Sequence, residues 1–135
     1  MPAPPSTTLI ADTSIFVAVE EGREVRPVDA LLRISVATVT ELEIGVLLAT
    51  DPATRRRRAA TLARARAYIP IPYDERVSAE FARLLAALRN AGRKAGVFDC
   101  LVAATALAVG HPVYTQDRDF EVMREHADGP AVLFG

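Results

Sequence analysis

Short apolar runs alternate with longer segments of helical periodicity along the chain. Runs of this length, bounded by glycine, proline or polar residues, are typical of buried strands. They predict five strands, at residues 8–11, 33–37, 68–72, 112–115 and 131–134. Because prolines interrupt the third run, we expect that strand to be an edge strand or a terminating strand.

Apolar residues at helical spacing predict helices between these strands. The first four are expected at residues 14–20, within 21–32, at 38–50 and from Pro52 through the arginine block that follows it. The other three are expected at residues 74–90, in the apolar stretch that ends at residue 108, and as a short helix after Phe120. In the helix at 38–50, the apolar face should consist of Leu42, Val46 and Leu47. In the helix that starts at Pro52, the residues facing inward should be Ala59, Leu62 and Ala63. The alternation predicts an α/β fold, with a mainly parallel central sheet of four to five short strands and helices on both faces. One domain is expected over residues 1–135, with residues 1–7 as a loose N-terminal tail.

The organising element is the apolar stretch from residue 94 to 108, KAGVFDCLVAATALA. A helix that is apolar on nearly every face is buried, so this helix is expected at the centre of the domain, ending near Gly110. It has one carboxylate at its start, Asp99, which needs capping partners or a metal to stay ionised. Cys100, the only cysteine, is expected to be a small core residue.

Composition narrows the class of protein. Half of the residues are hydrophobic and 24% are charged, which suits one folded domain. The longest apolar run is shorter than the ~20 residues that a bilayer requires. The first residues have no basic region and no real apolar stretch, so no secretion signal is expected. Together with the single cysteine, these features predict a cytoplasmic protein without a membrane partner.

Four carboxylates stand at the end of a predicted strand or at the start of a predicted helix. Asp12 follows the first strand, Glu41 lies near the start of the helix after the second, and Asp117 follows the fourth. Asp99 begins the central helix, and Asp119 comes two residues after Asp117. Because the ends of parallel strands share one edge of a sheet, we expect these acids to converge there.

Helix capping is the alternative role for these acids. Aspartate is a favourable N-cap, acids suit the helix dipole, and Thr38 with Glu41 has the spacing of a capping box. Capping needs no ionisable group, however, and clustered carboxylates repel one another unless a cation neutralises them. A set of oxygen ligands suits a hard cation such as Mg²⁺ or Mn²⁺.

Other chemistries have little support. His111 and His126 join no recognisable catalytic grouping, and no Walker loop, GxGxxG fingerprint or nucleophile elbow is present. A receiver-like signalling domain would need an acidic pair after its first strand and a lysine late in the chain. Asp12 has no acidic neighbour and Lys94 precedes the central helix, so this alternative is disfavoured.

Four motifs resemble those of PIN domains in order and spacing. They are Asp12-Thr13-Ser14, Thr40-Glu41-Leu42-Glu43-Ile44-Gly45, Phe98-Asp99-x-Leu101-Val102-Ala103-Ala104-Thr105-Ala106 and Thr115-x-Asp117-x-Asp119-Phe120. The resemblance covers the chain from about Thr8 to its end and is greatest to VapC-type toxins of bacterial toxin–antitoxin pairs.

This resemblance implies an endoribonuclease that depends on one or two Mg²⁺ or Mn²⁺ ions. The positions that match metal-binding acids are Asp12, Glu41, Asp99 and Asp117. Asp119 matches a position that assists in some members, and the hydroxyls that orient the acids match Thr13, Ser14 and Thr115.

The resemblance also implies a homodimer and a cognate VapB-like antitoxin, a segment of which would place an arginine among the acids. The RNA target stays open between tRNA, rRNA and mRNA. A catalytically silent PIN-like module that binds RNA or protein is the alternative function.

The positive residues are grouped, although the net charge is −1. Arg93, Lys94 and Arg118 flank the acids in sequence and are candidates for RNA contact, with an ordinary solvated surface as the alternative. The run from Arg55 to Arg58 is expected on a helix exterior or on a surface that faces the antitoxin.

Apolar residues are dense in the N-terminal half of the chain. One small sheet cannot bury all of them, because a helix packed on a sheet hides a single face. The surplus is expected in a subunit interface or in a groove for a partner's helix. The residues concerned are Ile15, Phe16, Val17, Val19, Leu31, Leu32, Leu42, Ile44, Val46, Leu47 and Leu48.

Overall fold

The computed structural model describes residues 7–135 and has a five-stranded sheet at its centre. The strands are β1 (Thr8–Ala11), β2 (Leu31–Ser35), β3 (Pro70–Ile71), β4 (Val113–Thr115) and β5 (Val132–Phe134). All neighbouring strands are parallel, and their order is β3-β2-β1-β4-β5. The proline-containing strand β3 therefore lies at an edge, as predicted. Most of the expected N-terminal tail lies outside the described residues.

Within the described part of the chain, six helices connect and flank these strands. They are α1 (Thr13–Glu20), α2 (Val36–Leu48), α3 (Pro52–Ala65), α4 (Glu75–Asn90), α5 (Val97–Val109) and α6 (Asp119–Ala127). Within residues 7–135, none of these helices combines the length and the apolar character needed to cross a bilayer.

The two faces of the sheet carry separate apolar clusters. Ile10 of β1 packs into one cluster with α4, α5 and α6, whereas Leu9 and Ala11 pack into the other with α1, α2 and α3. This division follows from the alternation of side chains along a strand. The predicted α/β fold with helices on both faces is therefore confirmed.

The central helix is placed as the apolar pattern predicts. Five consecutive positions from Val102 to Ala106 are buried in α5, and Gly110 ends the helix in the left-handed conformation, with a φ of 74°. Cys100 is buried as expected. Burial, and secondarily the nearby carboxylates of Asp99 and Asp119, raises the pKa of the Cys100 thiol to about 11. The thiol therefore stays protonated and acts as a small apolar group.

The helix predicted within residues 21–32 is wrong. Residues 21–30 form a loop, and the apolar pair Leu31 and Leu32 begins β2 instead. Pro27 removes a backbone donor, and side chains from the region of β4 bind the carbonyl groups of the loop. Tyr114 donates its hydroxyl hydrogen to the carbonyl of Arg26, and Gln116 donates to that of Glu24. These contacts replace the hydrogen bonds that a helix would have made.

Two further details of the predictions are also wrong. β2 ends at Ser35, whose Oγ accepts a hydrogen bond from the backbone N of Ala37, so α2 begins two residues before Thr38. Val36 is β-branched and looks strand-like in the sequence, but it is the first residue of the helix. The predicted inner faces are rotated as well: Leu47, Ala59 and Ala63 are exposed.

Candidate metal centre

Asp12 lies directly after β1, at the carboxyl edge of the sheet. β1 pairs with β4 so that Ala11 stands opposite Tyr114, which brings Asp12 beside Thr115. The Oδ2 atom of Asp12 accepts hydrogen bonds from Thr115 Oγ1 at 2.9 Å and from the backbone N of Ser14 at 3.3 Å. The residue is only 2% exposed.

The second oxygen of this carboxylate, Oδ1, is buried and has no hydrogen-bond partner among the residues described here. A buried carboxylate oxygen without a donor carries a desolvation penalty of about 1–3 kcal/mol or more. Burial raises the pKa of Asp12, and the hydrogen bonds from Ser14, Thr115 and Thr13 oppose this increase only in part. A cation would satisfy Oδ1, so the residues present fit a metal.

Asp99, Asp117 and Asp119 meet at the same edge. Each of the three offers a carboxylate oxygen, and these oxygens lie within 4.8 Å of one another, close enough to share a metal ion. Asp117 follows β4 by two residues, and its Oδ1 accepts a hydrogen bond from the backbone N of Asp119 at 2.9 Å. Asp99 comes from the first turn of α5.

The charges of the four main acids act on one another. The pKa of Asp99 is raised to about 8 by burial first, and then by repulsion from Asp12, Asp117 and Glu41. The pKa of Glu41 is also raised, by burial first, with repulsion from Asp12 and Asp117, whereas a hydrogen bond with Thr13 lowers it. The structure therefore brings the four predicted acids together into one electrostatic group.

Glu41 lies in the second turn of α2, because the helix begins at Val36 rather than at Thr38. The alternative role of Thr38 and Glu41 as a capping box is therefore ruled out. Thr38 is fully buried, and its Oγ1 accepts a hydrogen bond from Oγ1 of Thr13 at 3.3 Å. Thr13 is also the residue whose hydroxyl lowers the pKa of Glu41. Thr38 is thus a buried hydroxyl beneath the site that the sequence pattern did not identify.

Capping does not account for the acids. The N-cap of α5 is Gly96, without a side-chain hydrogen bond, so Asp99 is not the cap of its helix. Ser35 caps the helix that carries Glu41. Asp12 does cap α1, through the backbone N of Ser14, but that contact uses Oδ2 and leaves Oδ1 free.

The three predicted hydroxyl residues surround the acids. Ser14 Oγ lies 3.1 Å from Thr115 Oγ1 and accepts a hydrogen bond from the backbone N of Gln116 at 2.9 Å. Thr115 Oγ1 accepts from the backbone N of Asp117 at 2.9 Å while it donates to Asp12. Ser14 and Thr115 therefore join the segments that follow β1 and β4, and the hydroxyl of Thr13 lowers the pKa of Glu41.

The predicted RNA-contacting residues have different surroundings. Arg93 and Lys94 are exposed in the loop between α4 and α5 and form no ion pair within the described part of the chain. Arg118 is bound by Glu121 at 3.0 Å, and its guanidinium lies 4.6 Å from the centre of the Phe134 ring. His111 and His126 make no hydrogen bond to any of the acids in residues 7–135.

The arginine run has a structural role that the sequence pattern did not reveal. Arg58 Nη1 donates to the carbonyl of Gly45 at 2.7 Å, and Arg55 Nη2 donates to that of Ala49 at 3.0 Å. These carbonyls belong to the C-terminal end of α2, whose last turn contains no basic residue. The run therefore satisfies the exposed carbonyls of the helix that carries Glu41.

Comparison with known proteins agrees with this geometry. The sequence model of the PIN domain matches residues 9–125, which is most of the chain. The chain belongs to the PIN domain family. The relatives of this PIN domain include ribonucleases VapC8 and VapC4 of Mycobacterium tuberculosis. VapC8 is 46% identical over 99 residues, which cover 72% of this chain and 88% of that protein.

VapC4 is 38% identical over 116 residues, which cover 84% of this PIN domain and 89% of the relative. Among solved structures, a member of the VapBC family of toxin–antitoxin systems, VapBC-5 from Mycobacterium tuberculosis, has a similar fold. It superposes with a TM-score of 0.76 at 29% identity and covers 95% of this chain and 97% of its own. The resemblance to VapC-type PIN domains inferred from the four motifs is therefore confirmed.

Proposed function

We propose that this PIN domain is an endoribonuclease toxin that cleaves RNA phosphodiester bonds in a metal-dependent reaction. The observation that carries the proposal is the convergence of Asp12, Glu41, Asp99 and Asp117, with Oδ1 of Asp12 buried and unpartnered among the described residues. The relatives with 46% and 38% identity are both named ribonucleases, which supports the choice of RNA as substrate.

The residues that would hold the metal are Asp12, Glu41, Asp99 and Asp117, with Asp119 as an additional ligand. Their oxygen donors favour one or two Mg²⁺ or Mn²⁺ ions. When bound, such an ion lowers the pKa of a water molecule and neutralises charge on the phosphate, which is the chemistry of metal-assisted hydrolysis.

The protein's own residues prepare this site. Thr115 and the backbone of Ser14 orient the Asp12 carboxylate through its Oδ2 atom. Thr13 keeps Glu41 more acidic than burial alone would allow. With its pKa raised to about 8, Asp99 is protonated in a large fraction of molecules at neutral pH unless a cation replaces the proton.

The proposed function predicts cleavage of purified total RNA on addition of Mg²⁺ or Mn²⁺, and none in excess chelator. Mapping the cleaved ends would identify the target among tRNA, rRNA and mRNA. The Asp99→Asn protein is the negative control. Metal-stimulated RNA binding without cleavage would favour the catalytically silent module, and cleavage that persists in chelator would contradict the metal-dependent mechanism.

A VapB-like antitoxin and a second copy of the chain are the proposed protein partners. The solved relative VapBC-5 is described as a member of a family of toxin–antitoxin systems. Of the apolar surplus predicted from sequence, Val19, Leu31, Ile44, Leu47 and Leu48 are exposed, and the other six residues are buried or half-buried. A groove of about 520 Å³, lined by Phe16, Val19, Tyr68 and their neighbours, would receive an apolar segment.

This assembly is tested by measuring molar mass and nuclease activity together. Light scattering at micromolar concentration should give a dimer, and addition of the co-encoded antitoxin should give a larger complex without nuclease activity. An active monomer that is unaffected by the antitoxin would contradict both partners.

A further inference from the structure

A concave basic site lies beside the loop that leads into α5. Its volume is about 470 Å³, and its walls are formed by the end of α4 and by residues 92–95. The apolar part consists of Leu85, Leu88 and Ala95, and the exposed cations are Arg89, Arg93 and Lys94. Arg89 was not among the RNA-contacting residues predicted from sequence. We refer to these six residues as the α4–α5 basic site.

The three cations are free of carboxylate partners. No ion pair or side-chain hydrogen bond involves Arg89, Arg93 or Lys94 anywhere in residues 7–135. The arginines of α3 differ in this respect, because most of them bind carbonyls or carboxylates of the protein. Free cations around a concave site are available for an anionic ligand.

The backbone holds two of these cations in a defined arrangement. Gly92 adopts a φ of 67°, and its backbone N donates to the carbonyl of Arg89 at 3.0 Å. The backbone N of Arg93 donates to the carbonyl of Leu88 at 2.8 Å. This Schellman-type ending turns the chain back over the last turn of α4, so the backbone of Arg93 lies against the turn that carries Arg89.

The basic site is close to the acids along the chain. Asp99 is five positions after Lys94, so their Cα atoms lie within about 19 Å of each other. The acids repel the phosphates of an RNA strand. The cations of the α4–α5 basic site offset this repulsion for nucleotides next to the cleaved bond. The apolar residues between the cations provide a surface for a ribose or a base.

We propose that the α4–α5 basic site binds a nucleotide of single-stranded RNA near the cleaved bond, with Arg89, Arg93 and Lys94 contacting its phosphates. The inference rests on the proposed ribonuclease function and specifies how the substrate is held. Because the site is open and basic and contains no aromatic stacking residue, it recognises the backbone rather than the base sequence.

The test compares two triple variants that remove the same three positive charges. One carries Arg89→Gln, Arg93→Gln and Lys94→Gln. The control carries Arg56→Gln, Arg76→Gln and Arg124→Gln, which replace exposed arginines without a carboxylate partner in the described chain. Affinity for an oligoribonucleotide of about twelve nucleotides is measured by fluorescence anisotropy in chelator, so that no cleavage occurs.

The site variant should bind at least about tenfold more weakly than wild type, and its plot of log affinity against log salt should be shallower by about 2, since three phosphate contacts are lost. The control should match wild type in affinity. Both variants should keep the wild-type melting temperature and Mn²⁺ affinity, because neither set includes a metal-binding acid.

Failure of this inference is distinguishable from failure of the proposed function. If wild type cleaves RNA but the two triple variants bind it equally well, the α4–α5 site is not an RNA subsite. If the site variant keeps its RNA affinity and instead loses binding to the purified antitoxin, the site belongs to a protein interface. If wild type cleaves no RNA with either metal, the ribonuclease function itself is wrong.

Discussion

Thr115 donates a hydrogen bond from Oγ1 to Oδ2 of Asp12 across 2.9 Å, although the two residues are 103 positions apart in the chain. The contact exists because β1 and β4 are neighbours in the sheet. Oγ1 of Thr115 also accepts a hydrogen bond from the backbone N of Asp117 at 2.9 Å. One hydroxyl group therefore sets the relative position of two acids of the metal centre.

Replacing Thr115 by valine should weaken metal binding more than it weakens the fold. Valine keeps the shape of the side chain but removes the hydrogen bond to Asp12 and the one from Asp117, each worth about 1 kcal/mol. Because about 1 kcal/mol corresponds to about a fivefold change in affinity, we expect at least that loss of Mn²⁺ affinity. Titration calorimetry measures this affinity. Thr115→Ser restores the hydroxyl and should bind Mn²⁺ nearly as well as wild type. Equal losses in both variants would show that packing, rather than the hydroxyl, matters at this position.

Asp99→Asn should abolish cleavage while the protein stays folded. The substitution keeps the size of the side chain but removes the charge that attracts the cation, so we expect a loss of activity greater than about a hundredfold. The matched control is Asp51→Asn, because Asp51 is an exposed cap of α3 and asparagine also caps helices. Wild-type cleavage by a folded Asp99→Asn protein would contradict the metal-centre assignment.

The contribution of Asp99 to the stability of the metal-free protein should fall as the pH rises. The pKa of Asp99 is raised from 3.8 to about 8, so its folded form holds the proton more tightly than its unfolded form. Its contribution to stability is therefore complete below pH 3.8 and is lost as the pH rises towards about 8. In chelator, the melting temperature of wild type should decrease more between pH 5 and pH 8 than the melting temperature of Asp99→Asn does. Parallel melting curves for the two proteins would contradict this assignment.

Adding Mn²⁺ or Mg²⁺ should raise the melting temperature of wild type. A ligand that binds only the folded state at a hundred times its dissociation constant stabilises it by about 2.7 kcal/mol. The gain should shrink in Asp12→Asn and in Asp117→Asn, since each variant loses one charged ligand. Differential scanning fluorimetry at pH 7.5 measures the shift. Full metal stabilisation in both variants would mean that the acids converge without sharing an ion.

The histidines should be dispensable. Neither His111 nor His126 hydrogen-bonds to an acid of the metal centre among residues 7–135, so the double substitution to alanine should keep activity within about threefold. Removal of a general acid or base normally costs about 10²–10⁴ in rate. A loss of that size in a folded double variant would show that a histidine takes part in proton transfer.

The positions of the acids could be predicted from the sequence because they follow from strand order alone. A parallel sheet places Asp12 and Asp117 at one edge even when the predicted ends of the strands are wrong by a residue or two. Asp99 follows in the same way from the start of the buried helix. For these residues the apolar pattern was sufficient, and no side-chain detail was needed.

Contacts that depend on the rotation of a helix could not be predicted in this way. Thr38 was expected to begin α2, but the helix begins two residues earlier, and Thr38 is fully buried near Thr13. The helix expected within residues 21–32 failed because Tyr114 and Gln116, about 90 residues away, bind the carbonyls of that segment. Neither effect leaves a signal in local periodicity.

The binding of α2 carbonyls by Arg55 and Arg58 has a consequence for sequence variation among related proteins. Arg56 faces outward without a partner in the described chain, so it should accept almost any polar residue. Arg58 should accept only side chains that still reach and donate to Gly45, with lysine the nearest substitute. A deep mutational scan would then show tolerant and intolerant positions side by side within one uniform-looking run.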